Sequence, residues 1–98
     1  MLTPKMKRRI KNALNAEKAT IHIGKDGVTA KIVNEIEKQL DAREMIKAKI
    51  LKTALHEEET KNIAKKIAEQ TESDLVEVRG HTFMLFKRNK KTVKHTSN

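Results

Sequence analysis

The stretch IHIGKDGVT, residues 21–29, sets Gly24 and Gly27 three apart with Lys25 and Asp26 between them, after alternating apolar residues and before a helical pattern. The chemistry open to such a stretch is anion binding. Two positions without side chains let main-chain N–H groups approach a phosphate closely, the N-terminus of the following helix offers its positive end, and Lys25 adds a full charge. The same two glycines equally suit a turn that only reverses the chain, and spacing alone leaves both readings open. A Walker A loop would need a longer spacing and a terminal Gly-Lys-Ser/Thr, and a dinucleotide fingerprint would need a third glycine.

Other chemistries find few residues to use. With no cysteine in the chain, disulfides, thiol nucleophiles and thiolate-bound zinc are excluded. His22, His56, His81 and His95 show no metal-ligand spacing, so neither a metal nor a cofactor is expected. Glu57, Glu58 and Glu59 gather at a helix start, where capping and the dipole explain them. No serine, histidine and acid constellation is visible, so the expectation is a non-enzymatic protein with no small-molecule substrate. Phe83 and Phe86 are the only aromatics, too few for a base-stacking platform, and a nucleic acid would have to be held by its phosphates and shape.

Charge points the same way. Lys and Arg number 22 against 13 acids, a formal +9 with a pI near 9.9, which favours polyanionic partners. The surplus is uneven: residues 1–20 hold six cations and one acid, residues 42–53 four and one, and residues 75–98 six and one, whereas residues 54–74 hold three cations and six acids. Any single run is explained as a solvated face, but three basic segments separated by near-neutral or acidic ones suggest a polyanion surface. Its candidates are Lys5, Arg8, Arg9 and Lys11 on one helix, Lys47 and Lys49 on one strand, and Lys87 and Arg88 at the end of another. No apolar run approaches the roughly 18 residues of a membrane span, so no membrane partner is expected. The charged N-terminus and missing cysteines lead to the expectation of a soluble, cytoplasmic protein without a secretory signal.

Hydrophobic periodicity supplies the elements that carry these residues. Thr3 and Pro4 open a first helix whose apolar face holds Leu2, Met6, Ile10, Ala13 and Leu14, with Lys5, Arg8, Arg9, Lys11 and Asn12 opposite. Residues 20–23 alternate as a strand, residues 28–40 as a helix with Ile32, Val33, Ile36 and Leu40 on one stripe, and residues 44–51 as a strand with Lys47 and Lys49 on one side. A third helix covers about residues 57–70 and buries Thr60, Ile63, Ala64, Ile67 and Ala68. Strands at residues 75–79 and 82–87 are joined by Gly80 and His81, and the second is apolar throughout residues 83–86, as in a strand that is central or covered on both faces. The order is α-β-α-β-α-β-β. Right-handed crossovers place the second and third helices on one sheet face, giving a two-layer α/β sandwich whose other face is partly open or covered by the first helix. Residues 1–88 are expected to form one domain, and the basic tail 89–98, with almost nothing to bury, to be disordered.

Taken together, LTPKMKRRI, IHIGKDGVTAKIVNEIEKQL, REMIKAKI and GHTFMLFKR resemble the CRM domain, the chloroplast RNA splicing and ribosome maturation family, and its stand-alone YhbY-like members in particular. The similarity runs through about residues 2–88 in one register, and GKDGVT with the following NEI and MIKAK is its specific part. The resemblance implies a four-stranded mixed sheet in the order 1-2-4-3, similar to the C-terminal domain of translation initiation factor three. It also implies RNA binding through the GxxG loop and a basic surface, with ribosomal RNA and precursors of the large ribosomal subunit as partners. The positions carried over are Lys5 and the basic first helix, Gly24, Lys25, Gly27, Lys47 and Lys49. Where the family has Leu-Tyr-Arg on the last strand this chain has Leu85, Phe86 and Lys87, which removes a tyrosine hydroxyl and a bidentate arginine. A Lys-Pro before the first strand becomes Lys18, Ala19 and Thr20, and a histidine before the second becomes Arg43. An Alba-type protein that coats DNA or RNA shares this size, charge and layered fold, and a protein-interaction subunit docking acidic partners is a third class. A monomer is the expected state.

Overall fold

The computed structural model describes residues 2–51 and 57–88, with backbone alone at residues 57 and 58. The tail expected to be disordered, His56 and His95 lie outside the described residues. In chain order the elements are α1 (Pro4–Asn15), β1 (Ile21–Ile23), α2 (Ala30–Arg43), β2 (Met45–Ile50), α3 (Glu57–Thr71), β3 (Asp74–Arg79) and β4 (Thr82–Phe86). The four strands form one mixed sheet in the order β1-β2-β4-β3, with β1 parallel to β2 and the other two pairs antiparallel. This is the expected mixed α/β architecture.

Two hydrophobic clusters lie on opposite sheet faces. Ile21 and Ile23 of β1, Ile46, Ala48 and Ile50 of β2, and Phe83 and Leu85 of β4 meet Ile36 and Leu40 of α2 and Ala64, Ile67 and Ala68 of α3. On the other face Ile10 and Leu14 of α1 pack on Val76 and Met84, flanked by Leu2, Met45 and Phe86. Strand β4 contributes to both clusters, which is why its sequence is apolar without alternation. Of the two possibilities for the second face, α1 covers part of it.

A bulge in β3 accounts for a pattern that strict alternation misreads. The register steps from Leu75 opposite Leu85 to Glu77 opposite Met84, so one extra residue is accommodated between them. Leu75 and Val78 thereby both reach the main core, while Val76 and Glu77 both reach the α1 face. Without the bulge, Glu77 would point among the leucines and isoleucines.

Several boundaries differ from those expected. Helix α2 begins after Thr29, whose hydroxyl accepts from the Ile32 N–H at 3.2 Å, and not at residue 28. It continues past Leu40 to Arg43 because Glu44, with φ of 68°, takes the left-handed position usually given to glycine, so no glycine announces the end. Ala13, expected on the apolar face of α1, is exposed; Ile10 and Leu14 alone are fully buried there.

Candidate functional site

The loop between β1 and α2 follows from its two glycines. The Gly27 N–H donates to the Gly24 carbonyl at 3.0 Å, closing a tight turn with Lys25 and Asp26 at its exposed corners. Gly27 has φ of +73°, a conformation in which a side chain is strained, whereas Gly24 is unstrained and an added Cβ would meet nothing within 4 Å. The turn therefore engages one of its own amides and leaves those of Lys25 and Asp26 at the surface. Next come Thr29 and the start of α2, where the Ala30 and Lys31 N–H groups precede the first intrahelical bond. Gly24, Asp26, Gly27, Thr29, Lys31, Ile32 and Glu35 line an open hollow of about 340 Å³. Asp26 and Glu35 oppose an anion there, and main-chain amides with the Lys31 ammonium favour one.

Helix starts separate the basic surface from the rest of the molecule. Neither α1 nor α2 has an acidic residue in its first turn, and both have a lysine there, Lys5 and Lys31. Helix α3 begins instead with Glu57, Glu58 and Glu59. A cation near a helix N-terminus opposes the macrodipole and weakens the helix, so α3 is charged for its own stability and the other two are charged against it. Lys5, Arg8, Arg9 and Asn12 form an exposed ridge on α1, away from the Ile10 and Leu14 face.

The remaining expected contacts divide into free and engaged groups. Lys49 is exposed on the α1 side of the sheet, beside the glycine-loop end. Lys47 is different: its ammonium donates to the carbonyls of Leu14 at 3.3 Å and Glu17 at 3.0 Å, so it caps the C-terminus of α1, which has no basic residue in its own last turn. Lys11 is half-buried and pairs with Glu77 at 3.5 Å. Glu17 also accepts from both Arg43 guanidinium nitrogens at 2.9 and 2.8 Å, a bidentate tie between the segment after α1 and the last turn of α2. That hydrogen-bonded guanidinium holds the Glu17 carboxyl below its usual 4.5, and the carboxylate raises Arg43.

Position along the strands determines which of these groups meet. Ile23 pairs with Ile50 and Lys49 with Thr82, so the glycine loop, the end of β2 and the β3–β4 turn share one end of the sheet. Lys87 and Arg88 follow β4 at the other end, where Arg88 lines a hollow with Leu2 and Met6 of α1. Five and six residues of extended chain, roughly 17–20 Å, separate them from Thr82. The structure thus brings together the loop and Lys49, and places Arg88 beside the start of α1, with the Lys87 N–H donating to the Glu44 carbonyl at 2.8 Å.

Residue-by-residue reading of the sequence missed Lys31, His22 and Arg79 as candidates. Lys31 was legible as a cation in a first helical turn. The other two become visible only from cross-strand register, in which His22 pairs with Lys49, Lys49 with Thr82, and Thr82 with Arg79. Among the described residues no group of three metal-ligating side chains occurs, and no helix is long and apolar enough to cross a membrane.

Comparison with known proteins finds one family. Residues 2–87 match the CRS1/YhbY (CRM) domain. The Bacillus subtilis protein named Probable RNA-binding protein YqeI is 32% identical over 90 residues, covering 92% of each chain. Probable RNA-binding protein MJ0652 of Methanocaldococcus jannaschii is 36% identical over 86 residues, 88% of this chain and 63% of that one, so the present chain spans less than two thirds of that relative. Among solved structures, the solution structure of the Staphylococcus aureus protein SAV1595, described as a candidate RNA binding protein, superposes with a TM-score of 0.75 at 31% identity, covering 93% of this chain and 96% of that one.

Proposed function

We propose, from the premise that the chain belongs to the CRS1/YhbY (CRM) domain family, that it is a non-enzymatic RNA-binding protein whose glycine loop holds a phosphate of a structured RNA. Support comes from the names of its relatives and from the coincidence, at one end of the sheet, of a turn with surface amides, a helix start lacking acids, and the cations Lys25, Lys31 and Lys49. The observation that carries the reading is the charge placement on α1 and α2, which opposes the helix dipoles and favours an anionic partner. The RNA we assign is ribosomal, within precursors of the large subunit, with the ridge of α1 gripping neighbouring backbone and the protein acting as a cytoplasmic monomer.

In this reading the Lys25 and Asp26 amides and the first turn of α2 contact phosphate directly, while Lys5, Arg8, Arg9 and Lys49 neutralise flanking phosphates. Contacts of this kind fix register on an RNA without reading bases. Replacing Gly24 and Gly27 with aspartate removes the approach and adds two negative charges. The double variant is expected to lose binding to a structured ribosomal RNA fragment in gel shifts while retaining its circular dichroism spectrum. A folded double variant with wild-type affinity would reduce the loop to a turn. Sucrose-gradient fractionation tests the ribosomal assignment, which predicts co-migration with large-subunit precursors; migration only at the top of the gradient would refute it.

A further inference from the structure

The sheet face that carries α1 is only half covered. Helix α1 reaches Met45, Phe86, Val76 and Met84, and the rows beyond Met84, toward the glycine loop, have no apolar side chain to bury. The last row in the register runs His22, Lys49, Thr82, Arg79 through all four strands, one residue from each. Parity puts all four on the same face, since their neighbours Ile21, Ile23, Ala48, Ile50, Phe83 and Val78 point into the opposite core. His22, Lys49 and Arg79 are exposed, and the Arg79 side chain retains 75% of its accessible surface.

We infer that this row is a second RNA contact, a track for the sugar-phosphate backbone of a strand that continues from the glycine loop across the uncovered half of the sheet. The inference rests on RNA binding as proposed above and adds a surface to it. Three inter-strand spacings of about 4.8 Å make the track roughly 14 Å long. It has two permanent cations, hydrogen-bonding groups at His22 and Thr82, and no phenylalanine, tyrosine or tryptophan, so phosphate and ribose are what it suits first. Asn15 at the end of α1 walls an adjoining hollow of about 410 Å³ with Lys47, Glu77, Arg79, Thr82 and Met84. The occupant is anionic on charge grounds: the row itself holds no carboxylate, and the bulge sets Glu77 one row back.

Glu77 is the competitor for this track. Its Oε1 lies 3.8 Å from Arg79 and 3.5 Å from Lys11, and its Oε2 is buried without a hydrogen-bond partner. Phosphate on the row would draw Arg79 away from that carboxylate. Glu77 therefore restrains binding at the track, and its neutral analogue releases Arg79.

The experiment measures affinity for a short labelled single-stranded RNA and for the duplex made from it, between about 50 and 200 mM salt. It compares the wild type with a Lys49→Ala/Arg79→Ala double variant, Glu77→Gln and Gly24→Asp. Each phosphate contact removed should lower the log–log salt slope by about 0.7 on single strands and 0.9 on duplex, so the double variant is expected to lose about 1.4 from the slope if single strands use the track and about 1.8 if duplex does. Glu77→Gln is expected to bind more tightly at low salt. A double variant with the wild-type affinity and slope on both RNAs, alongside a Gly24→Asp variant that no longer binds, would overturn the track and leave the loop standing. Loss of slope in the double variant with Gly24→Asp unaffected would support the track and sink the loop. Failure of the wild type to bind either RNA would overturn both.

Discussion

Gly24 and Gly27 look interchangeable in the sequence and are not. Gly27 sits at φ of +73°, so Gly27→Ala is expected to lower stability by about 1–2 kcal/mol in urea titration from backbone strain alone. Gly24 has open space around it and no left-handed φ, so Gly24→Asp should leave stability within about 0.5 kcal/mol of wild type and remove RNA binding. The single Gly24 change is thus the cleaner probe, because any loss of affinity cannot be assigned to unfolding. Lys47 shows the opposite separation. Its ammonium completes the C-terminus of α1 through two carbonyls, and Lys47→Met should cost roughly 1–2 kcal/mol of stability with little change in the salt slope. The glycines, the lysines and their side of the strand were legible from spacing. That Lys47 is engaged and Lys49 free was not, since the carbonyls that engage Lys47 come from residues about thirty positions earlier in the chain.

The helices and strands are readable where local patterns decide them and misread where tertiary geometry does. Thr3 and Pro4 announce α1 correctly because capping is a local act, with the Thr3 hydroxyl accepting from the Met6 N–H at 3.1 Å. The end of α2 and the bulge of β3 escape the sequence, since a glutamate replaces glycine at Glu44 and nothing in DLVEVR marks the extra residue. Helix α1 carries a second, opposing expectation for its charges. Lys5→Glu places an acid in a first turn that has none and should stabilise the fold by about 0.3–1 kcal/mol while weakening RNA binding. Thermal melts and gel shifts on the same variant would then move in opposite directions. The Glu17–Arg43 tie between the segment after α1 and the last turn of α2 has a pH signature. Its carboxyl is held below 4.5 in the folded protein, so the tie's contribution is present above that pH and lost as pH falls through the lower folded value. The difference in melting temperature between wild type and Glu17→Gln should therefore be present at neutral pH and vanish in acid.

At the scale of the whole molecule, topology turns a scattered list of cations into positions. A parallel β1–β2 pair puts the glycine loop at the carboxyl end of the sheet, and the antiparallel return of β4 brings Arg79 and Thr82 to that end while carrying Lys87 and Arg88 to the other. Net charge alone predicted a polyanion partner; it did not say which cations share a face, because that depends on strand order and on which half of the sheet α1 covers. Binding dominated by phosphate contacts should fall steeply with salt and discriminate little between RNA sequences. The most direct test of the central claim is an amide chemical-shift titration of the labelled protein with a structured ribosomal RNA fragment. The largest shifts are expected at residues 24–31, joined by His22, Lys49, Arg79 and Thr82. Shifts concentrated on the acidic helix α3, with residues 24–31 unmoved at saturation, would contradict it.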